Sequence, residues 1–367
     1  MKIEFLVENV EPFLPIISKI IPVHSQIPIL SNVLLEATGQ GFYIYATNLE
    51  LGLKIKIPAK IDEEGSTTVP GKQFIETLSS LPKDKIYISK EKDKLELRCR
   101  ENKIFFQTIE RDEFPNILEE KGRKIHTFSE NEMKNIFGKL IFSVSSDDSR
   151  PELTGVLISQ KQEFIDFVAT DGFRLSLKKV KKEKILEEEE SLIIPAKLIT
   201  EAMSLKGETT LYIYEKGNQI IFENKDIVLV GRLINGDFPN YARVIPSSVK
   251  TTVTADAVEF LQKLKLASIF ARDAANIIKI EVVEGKIKMS AKSSGVGEGE
   301  AVMTVEQEGE DNEIAFNIKF LMDVLKNAED KQITIELSSA VEPAAFKFPE
   351  DSSFLHIIMP VRVQEQA

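Results

Sequence analysis

Asp147 and Asp148 are the nearest this chain comes to a reactive pair. Adjacent carboxylates can share a metal ion or a proton. These two lie in a serine-rich stretch, Ser143 to Ser149, with the composition of a solvated turn. Gly295-Val296-Gly297-Glu298-Gly299 has the look of a phosphate-binding loop. A dinucleotide site needs a strand before such a loop and a helix after it. Ala301 to Glu306 alternates like a strand instead, so a hairpin loop is expected. The three histidines, His24, His126 and His356, share no metal-ligand spacing, and Cys99 is the single cysteine. The chain has neither a Gly-x-Ser-x-Gly elbow nor a Walker loop. The expectation is no catalytic centre, no metal and no cofactor.

The composition sets further bounds. The chain has 367 residues, 43% hydrophobic and 29% charged, with a formal charge of −11. Nucleic-acid binders are usually basic, but net charge averages over faces, and what counts is where the cations gather. No run reaches the roughly 18 apolar residues of a membrane helix. The opening Met1-Lys2-Ile3-Glu4-Phe5 carries an acid where a signal peptide is apolar. One cysteine suits a reducing compartment. A cytoplasmic protein without membrane contact is expected.

Three stretches of the chain are versions of one another. Val69-Pro70-Gly71-Lys72 returns as Ile194-Pro195-Ala196-Lys197, and more loosely as Phe316-Asn317-Ile318-Lys319. The lysine offsets are 197 − 72 = 125 and 319 − 197 = 122. Ala46-Thr47-Asn48 matches Ala169-Thr170-Asp171, and Glu113-Phe114-Pro115-Asn116 matches Asp237-Phe238-Pro239-Asn240. This period is too long for a solenoid, whose repeats run about 20–50 residues, and suits a domain used three times. The expected domains are 1–121, 122–247 and 248–367.

Each repeat opens on an amphipathic helix, predicted at Val7 to Ile21, Ser129 to Phe142 and Thr254 to Phe270. Ser129 with Glu132 reads as a capping box. Strands follow, such as Gly41 to Ala46 and Leu51 to Ile57. A second helix begins near the repeated lysine, with Pro70 or Pro195 near its first turn. Further strands complete the unit, at Lys85 to Ser89, Lys94 to Arg100 and Lys103 to Ile109 in the first repeat. The class is α+β, two helices plus antiparallel sheets per domain. Linkers are expected near Glu119 to Arg123 and Pro246 to Val249. The charged run Lys178 to Glu190 reads as a solvated hairpin tip.

Ser149-Arg150-Pro151-Glu152-Leu153-Thr154-Gly155, with Ala169-Thr170-Asp171-Gly172-Phe173-Arg174-Leu175 after it, resembles the bacterial DNA polymerase III beta subunit family of sliding clamps. So do Ile27-Pro28-Ile29-Leu30-Ser31-Asn32, Phe238-Pro239-Asn240-Tyr241 and Met359-Pro360-Val361-Arg362, in order along the whole chain. The resemblance implies a clamp fold closing as a head-to-tail dimeric ring. Helices line the hole, sheets form the wall, and the ring encircles double-stranded DNA without reading its sequence. It tethers the replicative polymerase, and it does no chemistry. An acidic exterior then keeps DNA off the outside, while topology provides retention.

The resemblance implies roles for particular residues. His24, Lys72, Lys139, Arg150, Lys197, Lys263 and Lys319 are the expected DNA-facing set, contacting phosphates. His24 departs from the arginine common in the family, and Phe173 from a histidine. A pocket for short linear peptides of polymerase, clamp loader and other partners is implied at Leu153, Thr170, Gly172, Phe173, Arg174 and Leu175. Pro239, Arg243 and Val244 extend it, with Met359, Pro360, Val361 and Arg362 from the chain's end. Asn317, Phe320, Val341 and Pro343 form its far wall. Arg174, Arg243 and Arg362 are expected as donors at the rim. The subunit interface is implied at Ile104 and Phe106 against Ile269 and Phe270. The residues Val363 to Ala367 run a little past the family's usual ending. Two other readings stay open: an enzyme of DNA metabolism with an unrecognised site, and a regulatory module of the same fold that does not close.

Overall fold

A computed structural model describes residues 1–117, 120–181, 190–214, 217–272, 275–293, 295, 297–328 and 332–362. The first repeat contains β1 (Lys2–Leu6), α1 (Val7–Val10), α2 (Leu14–Ile20), β2 (Asn32–Thr38), β3 (Gly41–Thr47), β4 (Leu51–Ile57), β5 (Lys60–Glu63) and β6 (Gly65–Pro70). It ends with α3 (Gly71–Ser80), β7 (Lys85–Glu91), β8 (Lys94–Cys99) and β9 (Asn102–Gln107). The second has β10 (Arg123–Phe128), α4 (Glu130–Gly138), β11 (Gly155–Gln160), β12 (Phe164–Thr170), β13 (Arg174–Lys181) and β14 (Glu190–Pro195). After them come α5 (Ala196–Ala202), β15 (Thr209–Tyr214), β16 (Gln219–Glu223) and β17 (Ile227–Arg232). The third has β18 (Thr251–Asp256), α6 (Ala257–Ala271), β19 (Ile277–Val283), β20 (Lys286–Ser293), β21 (Gly297–Thr304), β22 (Glu306–Gly309) and β23 (Asn312–Asn317). It closes with α7 (Ile318–Lys326), β24 (Gln332–Leu337), β25 (Ala344–Phe348) and β26 (Asp351–Ile358). The α+β class holds, with every ladder antiparallel among the described residues.

The strands arise from alternation. In β3, Phe42, Ile44 and Ala46 are buried while Tyr43 and Tyr45 stand half-exposed on the other face. In α3, Phe74, Ile75 and Leu78 recur at helical spacing and are buried. Each such apolar side chain contributes about 1.5–3 kcal/mol on leaving water.

Helix boundaries differ from expectation in three places. The first helix is broken into α1, a short 3-10 turn at Glu11–Phe13 and α2, because Pro12 and Pro15 lack the N–H a continuous helix needs. α4 ends at Gly138 and yields to a 3-10 turn at Ile141–Ser143. The third repeat's helix starts at Ala257, not Thr254, since Thr251–Asp256 pairs with strands on both sides. Asp256 caps it, accepting from Glu259 N at 2.8 Å. Pro70 and Pro195 end strands, and Pro70 is the N-cap of its helix. The glycine-rich segment forms a hairpin, with Ser293 facing Gly297.

The chain divides into two compact units, Met1–Glu132 with Lys197–Leu233, and Met133–Ala196 with Ile234–Ala367. In the first, one sheet has the order β5-β1-β7-β8-β9. The other runs β10-β15-β16-β17-β4-β3-β2-β6, so four strands of the second repeat continue into four of the first. In the second unit, β14-β11-β12-β13-β26-β25-β24-β18-β22 likewise joins the second repeat to the third. The order β21-β20-β19-β23 completes it. The joins are β17 on β4, with Leu229 opposite Leu53, and β26 on β13, with Ile357 opposite Leu175.

Glu119 of the expected linker, residues 182–189 of the charged run and the tail 363–367 lie outside the described residues. Lys178 from that run is no solvated tip: it is buried and ion-paired with Asp351 at 2.6 Å. No helix of the described residues is long and apolar enough to cross a membrane.

Candidate functional site

The repeated lysines occupy equivalent places. Each is the second residue of a helix that follows directly on a strand: Lys72 in α3, Lys197 in α5, Lys319 in α7. Asn317 caps α7 by accepting from Lys319 N at 3.0 Å. All three side chains are exposed. Lys197 lies 3.6 Å from Glu50, but both are largely in solvent, where such a pair is worth little.

The other expected DNA-facing residues part company. His24 is exposed, beside Val23 at 90% exposure. Lys263 is half-buried, 4.0 Å from Glu259 one turn back. Arg150 is exposed and donates to the Asp171 carbonyl at 3.3 Å. Lys139 is a correction. It is buried, donates to Asp351 at 2.8 Å and lies over the Phe348 and Phe354 rings. An ammonium held by a carboxylate inside the protein cannot meet a phosphate backbone. Burial would raise the Asp351 pKa, but hydrogen bonds from Lys139, Lys178 and Ser353 outweigh it and hold the carboxyl well below its ordinary range.

The expected peptide pocket is organised around the turn between β12 and β13. Thr170 Oγ1 donates to the Arg174 carbonyl at 2.6 Å and accepts from Gly172 N at 3.0 Å. Asp171 accepts from the backbone N–H groups of Phe173 and Arg174 at 2.9 and 3.0 Å. Gly172 takes φ of +92°, a region open to glycine at no steric cost. The segment after β26 is held here and on β23: Met359 N donates to the Phe173 carbonyl and Val361 N to that of Ala315, both at 2.8 Å. Leu153 and Leu175 are buried, while Val244, Met359, Pro360 and Val361 are half-exposed. Phe173 and Val341 stand out at 61% and 60% exposure. Pro239, Arg243 and Arg362 are exposed, and Pro343 is half-buried.

Arg174 is not a free rim donor. Its Nε lies 3.0 Å from Asp171, its Nη1 2.8 Å from Asp323, and its guanidinium stacks on Phe320 at 4.5 Å and on Phe142 at 5.6 Å. Asp323 and Phe142 went unmarked in the sequence, since neither belongs to a repeated motif. Behind this turn, His356 Nδ1 is 2.8 Å from Ser176 Oγ, which is 2.8 Å from Ser143 Oγ. Burial, helped by the charge of Arg174, pushes the His356 pKa down to about 3.

At the expected interface, Ile104 is half-buried on β9, an edge strand. Phe106 is a correction: it is buried and packs edge-on against Phe74 at 5.7 Å, so its area is already spent. Its neighbour Phe105, on the other face, is 61% exposed. Ile269 is exposed on α6, as is Leu266 one turn before it. Phe270 is half-buried against the other edge strand β21, its ring occupying the space a side chain at Gly299 would need.

Three family models cover nearly the whole chain. DNA polymerase III beta subunit, N-terminal domain, matches residues 4–118; the central domain matches 127–240; the C-terminal domain matches 242–362. The chain is 27% identical over 355 residues to the beta sliding clamp of Chlamydia pneumoniae, covering 95% of each. Among solved structures, the DNA polymerase sliding clamp of Bacillus subtilis superposes with a TM-score of 0.93 at 25% identity, over 99% of this chain and 100% of that one. The DNA polymerase III beta subunit of Thermotoga maritima gives 0.89 at 29%, with the same coverage.

Proposed function

The chain belongs to the DNA polymerase III beta subunit family, and on that premise we propose that two copies close head-to-tail into a ring around duplex DNA. The job is that of a DNA sliding clamp, a processivity factor that keeps DNA polymerase III on its template. The carrying observation is a rule of strand pairing. The last strand of the second repeat joins the third long strand of the first, β17 on β4. The last strand of the third repeat joins its counterpart in the second, β26 on β13. One application of the rule is left over: β9, the last strand of the first repeat, with β21 of the third. Both are edge strands in their own sheets. Pairing β9 of one copy with β21 of another extends the rule twice and closes the ring, as heterologous contacts do when the rotation allows. Exposed Lys103 on β9 and Glu298 and Glu300 on β21 have complementary charge.

Each repeat is a domain, with boundaries at 1–121, 122–247 and 248–367, sharing sheets with its neighbours. Lys72, Lys197 and Lys319 meet phosphates around the hole, with His24, Arg150 and Lys263 beside them. The turn at Thr170 to Leu175, with Leu153, Pro239, Val244 and Met359 to Arg362, receives linear peptides of polymerase and loader. The cap and first turn of the third repeat's second helix add Asn317 and Phe320. The protein has no active site of its own and works in the cytoplasm. The pair of open, charge-matched edges favours closure over a module that does not close.

The test is topological. Protein loaded on a nicked circle should stay through a moderate-salt wash and leave when the circle is linearised, because retention does not depend on counterion release. Protein that dissociates equally from both would sink the ring.

A further inference from the structure

The connector Glu113-Phe114-Pro115-Asn116 duplicates the one at Asp237 to Asn240, yet it borders a cavity of its own of about 180 Å³. The floor is apolar. Leu34, Phe114 and Ile117 are all more than nine-tenths buried and belong to one cluster. Tyr45 forms a wall, opposite Leu34 on one side of its strand and Lys54 on the other.

The charged side chains lining this cavity are both cations, Lys54 and Arg111, in a chain whose formal charge is −11. Arg111 is already engaged: its Nε donates to Glu36 at 3.1 Å, and Glu36 also accepts from the Tyr45 hydroxyl at 2.7 Å. Lys54 is not. Its ammonium lies 4.5 Å from the centre of the Tyr43 ring and 5.5 Å from that of Tyr45, and among the described residues it has no carboxylate partner. Ring faces hold a cation in place without neutralising it. The cavity therefore offers one uncompensated positive charge above an apolar floor.

Size narrows the occupant. Clefts for cofactors and drug-sized ligands run about 300–1,000 Å³. A cavity of about 180 Å³ takes one side chain. We propose that this cavity is a second peptide site, which seats one apolar side chain of an acidic linear segment on Leu34, Phe114 and Ile117 and pairs a neighbouring carboxylate with Lys54. The site shares no residue with the pocket around Thr170 to Leu175 and does not depend on that assignment or on ring closure.

The experiment is fluorescence polarisation on the full-length protein. The probe is a fluorescein-labelled, C-terminally amidated Asp-Glu-Leu-Asp-Glu peptide, and its twin is Asn-Gln-Leu-Asn-Gln. The acidic probe should bind saturably, and the twin at least tenfold more weakly. Lys54→Glu should weaken the acidic probe at least tenfold, while leaving the Arg111–Glu36 pair in place. Lys54→Gln should give an intermediate loss at an unchanged melting temperature, so that a misfolded charge reversal does not decide the matter. Val244→Asp, which damages the other pocket, should leave the probe's affinity unchanged. Equal binding of the twin, wild-type affinity in both Lys54 variants, or loss of the probe in Val244→Asp would each overturn the proposal. Retention on circular DNA reads the ring separately.

Discussion

Arg174 and Asp323 are joined across 2.8 Å, although 149 residues separate them in the chain. The bond ties the first residue of β13 to the middle of α7, and so links two walls of the proposed peptide pocket. Asp171 holds the other side of the same guanidinium, whose central carbon lies over the Phe320 and Phe142 rings. Arginine suits this position because its planar fork bonds two carboxylates while its face stacks on rings.

Asp323→Asn should therefore weaken a polymerase-tail peptide about tenfold, or about 1.4 kcal/mol, without touching the pocket surface. Arg174→Lys should do at least as much, since a point charge cannot serve both acids. Fluorescence polarisation measures both, with sedimentation to show that the oligomer persists. Wild-type affinity in both variants would leave the guanidinium with a purely structural role.

The cluster of Lys139, Lys178 and Asp351 makes an asymmetric prediction. Removing Asp351 leaves two buried ammoniums facing each other, and breaking a buried pair costs roughly 3–5 kcal/mol. Lys139→Met leaves Lys178 to keep Asp351 paired and places a thioether against Phe348 and Phe354, so its cost should be smaller. Urea denaturation of Asp351→Ala and Lys139→Met compares them. A larger loss in the methionine variant would contradict the geometry.

His356 predicts a pH dependence. Its folded pKa, about 3, lies below its ordinary value of 6.5. Between those values the unfolded chain binds a proton that the folded chain refuses, so stability falls as pH falls. The slope from this group approaches about 1.4 kcal/mol per pH unit below 6.5. Asp351 adds loss in the same direction only below its own ordinary value of 3.8. His356→Gln should flatten the stability profile between about pH 6 and 4. An unchanged slope there would assign the acid sensitivity elsewhere.

For the proposed ring, Leu266→Asp with Ile269→Asp should give folded monomers, because both side chains are exposed on α6 and have area to bury. Phe106→Ala should instead lower stability, by about 3–5 kcal/mol for a buried phenylalanine. Sedimentation and thermal melts separate the two outcomes. A dimer surviving both aspartates would move the seam.

For DNA, Lys72→Glu, Lys197→Glu and Lys319→Glu together should impair loading on a primed circle without unfolding, since all three side chains are exposed. Normal loading would remove these lysines from the DNA-facing set.

Much of the fold could be read from local sequence because local physics writes it there. The Ser129–Glu132 capping box forms both reciprocal bonds, at 3.2 and 3.4 Å. β4 spans the Leu51–Ile57 expected of it. What stayed hidden depends on distant partners. Nothing near Lys139 announces Asp351, 212 residues on. On β9, alternation separates Phe105 from Phe106 but does not say which face a helix covers. The sharing of sheets between repeats leaves no local mark at all.

That sharing has a consequence for how the chain can be taken apart. A fragment cut at residue 121 would carry β4 with its long flank stripped of β17. A bare flank of Leu51, Leu53 and Ile55 is the kind of strand edge that recruits foreign strands and aggregates. The repeat visible in the sequence is thus not a self-contained unit of the fold. Neither compact body is a continuous stretch of chain, since each is assembled from more than one repeat, so a truncation series cut by the repeat should expose such a flank at its first step.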